Sequence, residues 1–133
     1  MIAQHAEAFL DLLRADPNLV VFDGAVPDLT SPPYVVVWVS VDSERSDRLT
    51  LESNRAVIRF TTHSVATTGQ GARIVADRVR QAVLDARLDV PGWQTWPIRH
   101  EYGLPPQLDE STGHPLISVI DGWTLTTTPR GGS

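Results

Sequence analysis

The chain alternates between two hydrophobic periods. At residues 3–15, Ala6, Phe9, Leu10 and Leu13 recur at i, i+3, i+4 and i+7, the stripe of a helix with one buried side, and Asp16-Pro17 ends it. Residues 19–22 form a short apolar strand, turned by Asp23-Gly24 and followed by an ordered loop from Val26-Pro27 to Pro32-Pro33. Residues 34–41 are β-branched or aromatic nearly throughout, which predicts a strand covered on both faces. Seven polar residues, 42–48, then break the pattern. Strand character resumes over residues 49–62, with a bulge or break expected at 52–55, so the two runs predict a long β-hairpin with a charged tip.

Residues 55–87 organise the rest. Ala56, Ile58 and Phe60 alternate with Arg55, Arg59 and Thr61, the period-two pattern of a strand with one core face. Thr67-Thr68-Gly69-Gln70 fits a capping box, with Thr67 as the cap and Gln70 reaching back. Val75, Val79, Ala82, Val83 and Ala86 then recur at helical spacing, flanked by Ala72 and Ala76, and this stripe is expected to pack on Ile58 and Phe60. Leu84 falls on the opposite side, and the helix should stop before Pro91-Gly92. A strand is expected from Pro97, a proline-rich loop over 103–115, and a last strand over 116–127 in which Gly122 marks a bulge or a close approach. The order α-β-β-β-α-β-β predicts one α+β domain, 1–133, with a short flexible tail at 128–133. Its sheet should be mostly antiparallel, with the long β-hairpin, and packed against two helices.

Composition narrows the chemistry. The 133 residues have a net charge of −5, which argues against a nucleic acid as a directly bound partner. There is no cysteine, so disulfides and thiolate metal sites are excluded, and no lysine, so Schiff-base and P-loop lysine chemistry are excluded. No apolar run approaches the roughly 20 residues of a membrane helix, and the first residues lack a signal-peptide pattern, so an intracellular protein is the default. His5, His63, His100 and His114 show no zinc-type i, i+4 pair. Asp109, Glu110 and His114 are the nearest approach to a metal set, and a solvated loop with turn-forming acids is the favoured reading. His63, between strand and helix, reads as a hydrogen-bonded structural residue before it reads as a general base. Gly69-Gln70-Gly71 lacks the third glycine of a dinucleotide fingerprint. Trp38 and Trp123 read as core, whereas Trp93 and Trp96 read equally as a plug under the sheet or an anchor at a protein interface.

Taken in order, these elements resemble the siphophage tail terminator, or tail completion, proteins. The resemblance is carried by the N-terminal helix, the Val26-Pro27 loop, the hairpin opened by Pro33-Tyr34-Val35-Val36-Val37, the strand entering the helix near Gly69, and the closing run ending in Gly122-Trp123-Thr124-Leu125. It implies a virion structural protein of the tail or neck, made in the host cytoplasm, with no catalytic residue, cofactor or metal. It further implies a homo-oligomeric ring, a hexamer, capping the head-proximal end of the tail tube. Its partners would be the major tail tube protein and a head-completion or stopper protein, and DNA would pass through the lumen without specific binding. Six copies at −5 give −30, a charge that would repel DNA. The expected interface residues are Asp42, Glu44, Arg45, Asp47 and Arg48 at the hairpin tip, Leu84, Trp93 and Trp96, and Pro105, Pro106, Asp109 and Glu110. Another head-to-tail connector ring, a small enzyme using His63 or Asp109 and His114, and a small-ligand binding module are the alternatives.

Overall fold

The computed structural model describes residues 2–28, 30–42, 55–110 and 114–130. Among them are α1 (Ile2–Arg14), β1 (Val21–Asp23), β2 (Tyr34–Asp42), β3 (Ala56–Ala66), α2 (Gly69–Val83), β4 (Trp93–Thr95), β5 (Arg99–Asp109) and β6 (Leu116–Pro129). This is the α+β order read from the sequence with one short strand, β4, added before the last two. The strands form one curled sheet in the order β1-β2-β3-β6-β4, and β5 also pairs with β6. β1 runs parallel to β2, and every other pairing is antiparallel.

Both helices lie on one face of the sheet. In α1 the apolar stripe buries Phe9, Leu10 and Leu13, and the ring of Phe9 stacks on Phe60 of β3 with centroids 4.0 Å apart. In α2 the stripe buries Val75, Val79 and Val83 with Ala72 and Ala76, in one cluster with Ile58 and Phe60, as the matched periods predict. Alternation in β3 directs Ile58, Phe60, Thr62 and Ser64 toward the helices, and β2 adds Val35 and Val37. The turn after α1 is fixed by Asp16, whose carboxylate accepts from the Asn18 amide at 2.9 Å and pairs with Arg78 of α2 at 3.2 Å. The amide bond, with the Arg78 contacts, holds the Asp16 pKa below its ordinary 3.8.

Four expectations are corrected. The cap of α2 is Thr68, not Thr67: its Oγ1 accepts from the Gly71 amide at 3.0 Å. The third helical position is therefore Gly71, which has no side chain to return the bond, so the box has only its first half. Residues 103–109 belong to β5 rather than to a loop. Every residue of β5 is exposed, so no face of it has an apolar period, and its two prolines sit in a strand that pairs on one side and shifts register between Leu104 and Gln107. β2 is covered on both faces only over its first half. Tyr34 and Val36 join Val65 in a small second cluster behind the sheet, while Trp38, read as core, is 51% exposed. His63 lies within β3 rather than between strand and helix, on the face away from the helices, opposite Val36 and Ile120 in the ladder. At the C-terminal end, Thr128 and Pro129 pair with Gln94 and Trp93.

Candidate functional site

The functional candidates read from the sequence fall in separate places. Pro105, Pro106, Asp109 and Glu110 come together at the far half of β5 and just beyond it, all exposed. Leu84 caps the other end of α2 and is exposed, and the backbone beside it joins Ile98 through Asp85 N–H to Ile98 C=O at 3.0 Å. Trp93 packs against the main core with the His5 ring edge-on at 4.9 Å. Trp96 is half-buried, its amide donates to Thr126 and the Arg55 guanidinium lies 5.1 Å over its ring. Glu44, Arg45, Asp47 and Arg48 lie outside the described residues, as does the side chain of Asp42.

The histidines do not converge. His5 is buried, 2.9 Å from the Thr127 hydroxyl. His63 lines a 250 Å³ cleft behind the sheet with Trp38, Tyr34 and Asp109, and burial lowers its pKa from 6.5. His114 lines a larger cleft of about 540 Å³ under the loop between β1 and β2, with Tyr34, Pro32 and Asp28. Among the described residues no group of three or more metal-ligating side chains is assembled.

His100 belongs to a charged node that the sequence reading missed. Asp121 of β6 is fully buried beneath α2. Its Oδ1 accepts from Arg80 Nη2 and from His100 Nε2, each at 2.9 Å, and the Arg80 bond raises the arginine's pKa. The second carboxylate oxygen has no partner among the described residues. Since an ionised carboxylate only accepts, the His100 nitrogen is the donor. This node ties α2, β5 and β6 together beside Trp123, on whose ring His100 sits edge-on. The signal in the sequence was an acid inside the apolar run Val119-Ile120-Asp121.

The flank formed by α2 and β5 exposes apolar side chains. A groove of about 410 Å³ runs between them, floored by Ala76 and Val119, with Ile74 and Pro106 as its lips and Arg73 at the rim. Ile74 is 52% exposed, and Leu108 of β5, paired with Ile117 on the helix side of the sheet, is 62% exposed, whereas Leu104, 44% exposed, pairs with Ile120 on the opposite face. Ile74 was legible as an apolar residue outside the helix stripe. Leu104 and Leu108 were hidden by the loop expectation.

The α+β fold thus carries an exposed apolar groove and, among the described residues, histidines that do not converge. The fold is shared with a chain from the virion of a native gene transfer agent particle, with a TM-score of 0.69, 17% identity and 92% of each chain covered. A second solved chain matches with a TM-score of 0.60 at 16% identity, over 92% of this chain and 91% of the other. The chain belongs to the family of tail completion protein gp17, whose model matches residues 7–104, from α1 into β5. It is thus a structural protein of the phage tail. No curated protein matches the sequence, and among the described residues no helix is long and apolar enough to cross a membrane.

Proposed function

We propose that this chain is a tail terminator: six copies form a ring on the head-proximal end of the tail tube. The ring stops tube polymerisation and presents a surface to the head-completion protein, and DNA passes through its lumen without specific binding. It does this without catalysis. The observation that carries the reading is membership in the tail completion family over residues 7–104. The open α2–β5 flank agrees with it, because a ring subunit must show surface to its neighbours.

The charged run at 42–48 is assigned to contacts with the tube or an adjacent subunit, with Arg45 and Arg48 pairing carboxylates through their planar guanidinium groups. Particles made without the protein should carry tubes of irregular length and heads that fail to join them. Arg45→Glu with Arg48→Glu should leave the subunit folded and produce the same defect in weaker form. Uniform, head-joined tails in the absence of the protein would refute the terminator reading. Uniform tails with the double variant alone would remove only the assignment of the tip.

A further inference from the structure

The two flanks of the subunit are unlike, and their differences match. Arg78 on one side of α2 reaches Asp16 at the end of α1, whereas Arg73, Ile74 and Asp77 line the groove toward β5, so α1 and the groove lie on opposite sides of α2. The charge is divided in the same way. Residues 1–33 hold five acids and one arginine, a net of −4 out of −5 for the chain. The charged residues lining the groove are Arg73, Arg80 and Asp77, a net of +1.

On the acidic edge, Glu7 and Asp11 lie one turn apart on the exposed side of α1, and Val20 beside β1 is 52% exposed. At the groove, Arg80 is engaged by Asp121, as Arg78 on the opposite side of α2 is by Asp16. Arg73 has no ion pair among the described residues. Neither have Glu7 and Asp11.

We propose that the α2–β5 groove of one copy receives the α1–β1 edge of the next, with Glu7 and Asp11 meeting Arg73 and Val20 meeting the lip formed by Ile74 and Pro106. The inference rests on the ring reading and supplies its contact between neighbours. A self-complementary contact through the acidic edge would set like charges against each other, whereas a head-to-tail contact sets unlike ones together and closes into a ring. Pairing of strands along the free side of β5 is obstructed by Pro105 and Pro106, so the contact runs through side chains.

The test exploits the head-to-tail geometry. One variant, Gln70→Glu with Arg73→Glu, makes both flanks acidic. The other, Glu7→Arg with Asp11→Arg, turns the exposed face of α1 that would meet Arg73 basic. Each alone should assemble at least about tenfold more weakly than the wild type, read by sedimentation of the purified protein and by capping of isolated tail tubes. An equimolar mixture should recover assembly, because the two alternate around a ring with an even number of places.

As a second measurement, the chain has no cysteine, so Glu7→Cys with Arg73→Cys should give a ladder of disulfide-linked species up to the closed ring. Wild-type assembly by both variants alone, a mixture no better than its components while both melt like the wild type, or no ladder would each overturn the pairing and leave the ring reading standing. A wild type that assembles neither in solution nor on tubes would overturn both.

Discussion

Val79 sits at the centre of the buried stripe of α2 and has no exposed surface. Val79→Asp would place a charge without a partner between that helix and Phe60, at a cost of about 3–5 kcal/mol. A melting temperature unchanged from the wild type would disprove the packing. This residue was legible because a stripe of valines at helical spacing has one reading, whereas Asp121 was not, since an acid inside a strand becomes intelligible only when its partners from α2 and β5 are known. Asp121→Ala should cost about 1.5–3 kcal/mol, the worth of hydrogen bonds to a charged group, by stranding Arg80 and His100. Denaturant unfolding of the variant checks it, and a loss near zero would mean that the node contributes nothing net. His63 offers a test by pH. Its folded pKa is lowered by burial, so the unfolded chain takes up a proton first as pH falls below 6.5. Its contribution to stability is whole above 6.5 and is lost as pH falls through 6.5 toward the folded value. His63→Gln should flatten the dependence of melting temperature on pH in that window, and identical slopes in the two proteins would count against the cause given.

At the level of elements, the helices and β3 follow from period, because each has one face against the core, and β2 follows from its nearly unbroken run of β-branched and aromatic residues. β5 does not, because a strand exposed along its whole length has no period to read, and two prolines argue against a strand in any central position. The start of α2 was displaced by one residue for a similar reason: adjacent threonines offer the same hydroxyl, and only the turn geometry selects Thr68. Thr68→Ala should cost about 1 kcal/mol and Thr67→Ala only a few tenths. Equal losses measured by thermal unfolding would return the cap to either residue. Gly122 was expected to mark a bulge or a close approach, and both are there: β5 shifts register between His100 and Tyr102 opposite it, and a Cβ there would enter the ring of Tyr102. Gly122→Val should therefore loosen β5, seen as faster amide exchange over residues 99–104, and Tyr102→Ala should suppress the effect. Exchange unaltered in the single variant would show that the ring moves aside freely.

On the scale of the whole molecule, the sequence foretold the two-layer α+β architecture but not how charge and apolar surface divide between its flanks, since that depends on which elements end up at opposite edges. If charges at the hairpin tip and along α1 carry assembly, raised salt should weaken it, with most of the loss once the screening length falls below about 8 Å. Assembly measured across a salt series and found constant would shift the weight to the apolar groove. β6 has a further consequence. It is the partner of β3, β4 and β5 alike, and it follows all three in the chain. A ribosome that has translated only as far as residue 115 has released a helix pair and a β2–β3 ladder whose other side is bare. Trp123 and Leu125, which fill the space beneath α2, are still unmade. The subunit must then wait for its closing strand, and its slow step is the docking of distant strands. In a cell making tail proteins in bulk, that interval is when the bare edge of β3 is open to wrong partners.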